Sequence, residues 1–353
     1  MKNDTETLVI LSPAFPANES DNNWVPTQQL FVKTLKNDFP QLHIIVLTFL
    51  YPYQASTYSW NGVQIISFNG MRYRKIRRVF LWRKIWQQLR KIHRENNVTG
   101  LFSFWCGECA LLGRWFGKRY SISHYCWICG QDARKQNKWM KFIRPEAHEL
   151  IAMSDFLVNE FYKNHSIKPR YVIPAAIDTM QFQSLLPSAR DIDIMGAGSL
   201  IPLKQYDVFI VVVKSLQQKL PGIKAIQCGD GEEKAKLQSL VKTSELENNL
   251  SFLGEKPHKE TLQFMQRTKV FLHTSNYEGF GVVCLEALYA GAHVISFCSP
   301  MEQQFPHWHI VHTAEEMMEK ALELFQNPRT EYNPVLLYSM TDTVKSIMKL
   351  FGN

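Results

Sequence analysis

The sequence has no apolar run long enough to span a bilayer, which argues against an integral membrane protein. It shows no repeat of fixed period. Charged residues make up 20% and hydrophobic residues 45%, close to soluble globular averages, so disordered and fibrous classes are set aside. The opening MKNDTETLVILSPAFP places acidic residues before a short apolar run that Pro13 and Pro16 end. That pattern predicts a first β-strand and not a signal peptide. The seven cysteines are an odd number in a chain without a secretion signal, so free thiols in a reducing compartment are expected rather than a disulfide framework. These features together predict a cytoplasmic protein.

What is present points to two domains. A chain of 353 residues suits two α/β domains of about 150 to 200 residues each. Its net charge of +8 is unevenly spread. Lys and Arg outnumber Asp and Glu by 24 to 13 in residues 1–187 and trail by 16 to 19 beyond, so the halves stand near +11 and −3. An asymmetry of this size predicts an anionic surface as a partner of the first half, either membrane or nucleic acid.

Most of the excess lies in residues 72–94, RYRKIRRVFLWRKIWQQLRKIHR, with ten Lys or Arg and no acid. Ile76, Val79, Phe80, Trp82, Ile85, Trp86 and Leu89 recur there at spacings of three and four. A basic amphipathic helix follows, suited to lie on anionic lipid headgroups, where each nearby cation adds about 1 kcal/mol. An ordinary helix packed on a sheet with a basic solvent face has the same pattern. No nucleic acid is expected, because nothing resembling a base-reading module accompanies the charge.

Leu8 to Leu11, Ile44 to Phe49 and Val63 to Phe68 are short β-branched or aromatic runs that read as strands, with a helix over Thr27 to Leu35 between the first two. From Asp191 onward the order repeats. IDIMGAG, an amphipathic stretch from Tyr206 to Leu220, IKAIQCGDG, LSFLG, a helix around Thr261 to Gln266, VFLHTS, a helix from Gly281 to Ala290 and HVISF alternate strand and helix. Two α/β units in tandem are expected, meeting near 182–190, where QFQSLLPSAR holds Pro and Ser without periodicity.

The most informative stretch is residues 273–296, HTSNYEGFGVVCLEALYAGAHVIS. Glu278 and Glu286 have seven residues between them, with Gly279-Phe280-Gly281 directly after the first and a helix carrying the second. Glycines let backbone amides approach a ligand, and a helix N-terminus favours a diphosphate. Two carboxylates about two turns apart can reach hydroxyls on different parts of one ligand. On spacing alone this reads as an anion and polyol site, or as a strand-turn-helix with solvated glutamates.

Four ordered blocks resolve the choice: GAGSLIPLKQYD, QCGDGEEKAKL, LSFLGEKPHKETLQFM and SNYEGFGVVCLEALYAGAHVIS. Across residues 191–296 the chain resembles the retaining group 1 glycosyltransferases of the family 4 type. The resemblance implies a GT-B fold, α/β with two Rossmann-like domains facing across a cleft, here an acceptor-side domain over 1–187 and a nucleotide-sugar-binding domain over 188–335, with 336–353 as a helix returning to the first domain. It implies transfer of a hexosyl group from a nucleotide diphosphate sugar, as donor substrate, to a glycan or lipid-linked hydroxyl acceptor in surface-polysaccharide or lipid-linked glycan synthesis. It implies that no cofactor and no metal are required. By the same resemblance Glu278 contacts the donor sugar and Glu286 the ribose, while the backbone of Gly279, Phe280 and Gly281 holds the diphosphate side. Lys204 neutralises the diphosphate, Gly254 and Glu255 pack on the base, and Gly229 and Gly231 line the same cleft. Many relatives carry an Arg directly after the glycine of the first C-terminal strand; here Ser199 follows Gly198, so half of that cationic clamp is absent. A sugar-nucleotide epimerase and a non-catalytic sugar-nucleotide-binding protein are the rival readings.

The N-terminal half carries the resemblance in VILSPAFPANESDN, HYCWICGQDARK, IAMSDFL and VIPAAID. Asn18 to Asn22 replace the usual Gly-Gly pair. If Gly130 is the glycine of the His-Gly-x-Asp loop, the active-site histidine position is Cys129, and His124 takes the catalytic role from further back on the strand. Asp132 and Arg134 follow in the same loop. Cys106, Cys109, Cys126 and Cys129 also have the C-x2-C spacing of a structural zinc site. On a strand, however, Cys126 and Cys129 would project to opposite faces, so buried thiols are the expectation.

Overall fold

A computed structural model describes residues 3–21, 25–73, 75–182 and 189–352. Asn22, Arg74 and residues 183–188 of the expected boundary lie outside the described residues. The chain divides into two compact units, Met1–Ala176 with Tyr338–Asn353, and Ile177–Leu337. The first division thus falls before the 187/188 position expected from the Pro and Ser content.

In the first unit β1 (Asn3–Ala14), β2 (His43–Tyr51), β3 (Ser56–Trp60), β4 (Val63–Ser67), β5 (Asn96–Phe104), β6 (Ser123–Ile128), β7 (Leu150–Ala152) and β8 (Tyr171–Val172) form one sheet, ordered β3-β4-β2-β1-β5-β6-β7-β8. All neighbours pair in parallel except β3 with β4. Leu8, Val9, Ile10 and Leu11 of β1 are all buried, the unbroken apolar run of a parallel strand covered on both faces. Helices α1 (Pro26–Asp38), α2 (Arg78–Glu95), α3 (Glu108–Tyr120), α4 (Met140–Ile143) and α5 (Asp155–His165) provide that cover.

The basic segment folds differently from the single helix its periodicity predicts. Two 3-10 turns, Gly70–Arg72 and Lys75–Arg77, precede α2, which begins only at Arg78. The Arg78 guanidinium is the reason for the break. It donates to the carbonyls of Gly70 (3.3 Å) and Tyr73 (3.2 Å) and forms a bidentate ion pair with Glu108 at the start of α3. From there Leu81, Ile85, Leu89 and Ile92 make one buried stripe against Val9, Leu11, Ile45 and Leu47. Fully burying each such side chain contributes about 1.5–3 kcal/mol. Truncating Ile85 to Ala would therefore cost about 2–5 kcal/mol, cavity included.

In the second unit β9 (Ile192–Ala197), β10 (Ala225–Cys228), β11 (Leu250–Gly254), β12 (Thr268–His273), β13 (His293–Ser296) and β14 (Trp308–Ile310) form a parallel sheet ordered β11-β10-β9-β12-β13-β14. Helices α6 (Tyr206–Lys219), α7 (Lys234–Thr243), α8 (His258–Gln266), α9 (Val282–Tyr289) and α10 (Ala314–Gln326) connect the strands. Phe209, Val213 and Leu216 of α6 pack with Met317 and Ala321 of α10 over Ile194 and Val270. The order of strands reverses direction between β9 and β12, and in the first unit between β1 and β5. Ligands in open α/β sheets bind beyond the carboxyl ends of strands at such a reversal.

The last helix, α11 (Met340–Lys349), packs on the first unit. Ser339 caps it by accepting from the Asp342 amide, and Thr343 donates to the Pro174 carbonyl at 2.9 Å. Val344, Ile347 and Met348 are buried along one face. Among the described residues no helix is long and apolar enough to cross a membrane.

Candidate functional site

The loops leaving β9, β10 and β11 are bonded to one another at the reversal point of the second sheet. The Gly198 amide donates to the Cys228 carbonyl (2.9 Å), the Gly229 amide to Gly254 (2.8 Å) and the Leu200 amide to Asp230 (2.9 Å). Gly229 has φ +139, and a Cβ there would lie 2.0 Å from the Gly198 oxygen, so only glycine lets these loops approach. With α9 they enclose a cavity of about 480 Å³ lined by Gly198, Ser199, Lys204, Gly229, Glu255 and Glu286 among others. All six were expected at a donor site. Lys256 and His258 line it as well, and carry no assignment from the sequence motifs.

Lys204 ends a single 3-10 turn after β9, and its backbone carbonyl is held by the Thr274 hydroxyl at 2.7 Å. Its ammonium forms an ion pair with Glu278, whose Oε1 also lies 3.3 Å from Nε2 of His273. Burial alone would raise the Glu278 pKa. The hydrogen bond from His273 and the charge of Lys204 outweigh it and bring the carboxyl down to about 2. Glu278 is thus a carboxylate at neutral pH, able only to accept hydrogen bonds. A polyol hydroxyl is the complementary partner, and an incoming phosphate would compete with Glu278 for the ammonium.

The second carboxylate sits on α9, one turn into the helix. Glu286 Oε1 is 2.8 Å from Nε2 of His258, the first residue of α8, while Nδ1 of His258 is 2.7 Å from Oε1 of Gln181. The hydrogen bond with Glu286 raises the His258 pKa against the opposing effect of burial. Gly281 caps α9 with φ +82, and the helix has no acidic residue in its first turn. The Cys284 amide bonds the cap carbonyl of Gly281 at 2.8 Å, and the amides of Val282 and Val283 ahead of it lie where a helix start suits an anion. Phe280 is buried with its ring 6.4 Å from Trp308, so it anchors Gly279 and Gly281 through its backbone position.

His273 and His258 lie inside the quoted motif stretches but carry no assigned role there. Each ends or begins a regular element, where a histidine reads as a packed residue, and only the fold brings each to a glutamate.

His124 requires correction. It lies near the amino end of β6, away from the loops at the carboxyl end, and is buried. Its Nε2 faces the Ser103 hydroxyl at 2.8 Å, and a Cβ at Gly113 would meet that ring at 2.6 Å. Burial, then the charge of Arg114, lower its pKa to about 3. A neutral imidazole wedged between α3 and β5 is a core residue and not a catalyst. Cys129 does follow β6, accepting from Gln28 Nε2 at 3.7 Å, with its thiol pushed well up by burial. Cys106, Cys109 and Cys126 are buried, and among the described residues no three His, Cys, Asp or Glu side chains form a metal-binding group.

Residues 178–325 match the model of the family described as glycosyl transferases group 1. The chain is 24% identical over 219 residues to a phosphatidylinositol N-acetylglucosaminyltransferase subunit of Arabidopsis thaliana, covering 59% of this chain and 49% of that one. It is 27% identical over 204 residues to the phosphatidylinositol N-acetylglucosaminyltransferase gpi3 subunit of Schizosaccharomyces pombe, covering 56% and 44%. The chain therefore spans about half the length of these relatives. Among solved structures, Anabaena Alr3699/HepE in complex with UDP superposes with a TM-score of 0.67 at 14% identity, over 98% of this chain and 94% of that one. At that identity the likeness concerns the fold alone. Residues 178–325, less than half of the chain, are thus similar to the group 1 glycosyl transferases, and the whole chain has the GT-B fold of the superposed structures.

Proposed function

We propose that the protein transfers a hexosyl group from a nucleoside diphosphate sugar to a hydroxyl acceptor with retention of anomeric configuration. The observation that carries this reading is that Lys204 and Glu286 line one cavity while the Lys204 ammonium pairs with Glu278: a cation, a carboxylate for the sugar and a second carboxylate for the ribose. On donor binding the Lys204 ammonium moves from Glu278 to phosphate oxygens. Glu278 is then released to accept from the sugar hydroxyls while Glu286 accepts from the ribose. As the glycosidic bond breaks, negative charge grows on the diphosphate, and Lys204 with the first amides of α9 stabilises it at fixed positions. Ser199 adds no cation to this cradle, so Lys204 carries more of that stabilisation than in relatives with an Arg there. The charge on the leaving group is met by these groups without a metal, and activity should survive a chelator.

A glycan or lipid-linked acceptor, met at the cytoplasmic face of a membrane, fits this reading. The relatives' names join sugar transfer to phosphatidylinositol. On α2 and the turn before it, Ile76, Val79 and Phe80 are exposed, with Arg77, Arg83 and Lys84 exposed around them. Trp82 and Trp86 instead pack on the core of their own unit, and Trp82 donates to Glu108 at 3.0 Å. They are therefore not membrane anchors.

Turnover with a set of nucleotide sugars and hydroxyl acceptors tests the function. Net transfer with the donor's anomeric configuration preserved is the expected product. Epimerised donor, or binding without either product, would contradict it.

A further inference from the structure

His258 opens α8 on the wall of the donor cavity, and its two ring nitrogens face two oxygens. Nε2 lies 2.8 Å from Oε1 of Glu286 on α9, and Nδ1 lies 2.7 Å from Oε1 of Gln181 in the turn Thr179–Gln181. Asp178 decides which way the Gln181 amide points. Its carboxylate accepts from Gln181 Nε2 and from the Met180 amide, both at 3.1 Å, so the oxygen of the Gln181 amide is the end left for the histidine. A neutral imidazole has one N–H and would set a lone pair against one of the two oxygens. Only the imidazolium donates to both.

The charges around the ring agree with that form. Its pKa is raised above 6.5, first by the hydrogen bond with Glu286 and then by the charges of Glu286 and Asp178, against the opposing effect of burial. Lys256, two residues earlier, also lines the cavity but pairs with Glu260 at 3.2 Å. A helix start disfavours a cation, so the imidazolium is held there by its two acceptors and not by the backbone. The Glu286 side chain is 14% exposed and that of His258 42%, so the carboxylate is tied inside the cavity while the ring can exchange its proton with water. Ser199 brings no cation to this cavity; His258 brings one.

We propose that His258 is a positioning residue of the donor site: as an imidazolium bridging Gln181 and Glu286 it fixes the Glu286 carboxylate for the ribose, and it loosens that grip when it gives up its proton. In the donor reading Glu286 accepts from the ribose, and the role of His258 rests on that reading. Charge-assisted hydrogen bonds are roughly twice as strong as neutral ones. Whichever nitrogen keeps its hydrogen, the neutral ring therefore holds Glu286 less firmly, and it leaves a bare carboxylate charge beside a diphosphate. Nucleotide affinity is then highest while His258 is protonated and falls as pH rises through its raised pKa.

Calorimetry with UDP, GDP and ADP on the full chain, from about pH 6 to about pH 9, tests this in the parent, His258→Gln, Glu286→Gln and the double variant, with NMR following the His258 ring protons without nucleotide. The terminal phosphate titrates near 6 in every sample, so parent and variant are compared at each pH. The parent should bind about tenfold tighter than His258→Gln at the acid end and within about twofold of it at the alkaline end. His258→Gln should add nothing once Glu286 is replaced, because the histidine acts through that carboxylate. Gln181→Met, at an exposed position, removes one acceptor and should move the fall in affinity to lower pH in a chain that stays folded. An affinity ratio independent of pH, or full additivity of the two substitutions, would overturn the positioning role while nucleotide binding leaves the donor reading standing. No diphosphate bound by a parent whose His258 titrates above 6.5 would instead reject the donor reading, and the ribose role of the pair with it.

Discussion

Glu278 and Glu286 are alike in sequence and differ in what holds them. Glu278 is gripped by Lys204 and His273, Glu286 by His258. Replacing Glu286 by Ala should lower UDP affinity by about tenfold through the ribose, whereas Glu278→Ala should leave UDP affinity level or higher, because Lys204 is freed. Turnover in Glu278→Ala should fall by at least about 100-fold, since its partner is the transferred sugar. Calorimetry and initial rates on both variants check this; equal nucleotide binding with full activity in both would remove the assigned roles. The same pairs set opposite pH windows. Glu278 is lowered to about 2 from 4.5, so its stabilisation is complete above 4.5 and is lost as pH falls toward 2. His258 is raised above 6.5, so its contribution is complete below 6.5 and is lost as pH rises through the raised value. Melting curves should show Glu278→Gln flattening the acid limb relative to the parent, and His258→Gln flattening the alkaline one.

At the scale of elements, α2 serves two surfaces at once. Its Leu81, Ile85 and Leu89 stripe belongs to the core, and Arg78 is committed to Glu108, so the exposed charges available for lipid include Arg77, Arg83, Lys84, Arg90, Lys91 and Arg94. Replacing Arg77, Arg83 and Arg90 by Gln should release the protein from anionic vesicles without changing UDP affinity. Binding by the parent should weaken with salt as the Debye length shortens from about 10 Å at 0.1 M. Any salt-resistant fraction should be lost in Phe80→Ser, since Phe80 is the exposed aromatic of the helix. Co-sedimentation across a salt series decides it, and equal vesicle binding by parent and triple variant would leave α2 a structural element. The loops of the second unit are as exacting: Gly229→Ala would push its Cβ onto the Gly198 carbonyl and should abolish nucleotide binding while the strands remain.

Over the whole molecule, what could be read from the sequence followed the range of the interactions. Buried parallel strands announce themselves as apolar runs, so Leu8–Leu11 and Ile44–Phe49 lie inside β1 and β2, though the strands extend over polar residues that pairing alone recruits. Residues from the four motif blocks meet around one cavity, because glycine needs and carboxylate spacing are local. The break before Arg78 was not legible, since Glu108 is 30 residues distant. His124 misled for the same reason: a histidine near a motif looks catalytic until the Gly113 contact shows it packed. His258 stayed silent because its partner Glu286 lies 28 residues on, on another helix; His273, five residues before Glu278, was passed over as a strand-end residue.

The central claim is that the loops around Lys204 bind a nucleoside diphosphate sugar, and calorimetric titration of UDP, GDP and ADP into the parent and Lys204→Ala tests it most directly. A charge-assisted hydrogen bond is worth about 1.5–3 kcal/mol, so one of the three diphosphates should bind the parent and lose about 10- to 150-fold in the variant. Unchanged affinity on removing the ammonium, or no diphosphate bound by the parent, would contradict the account.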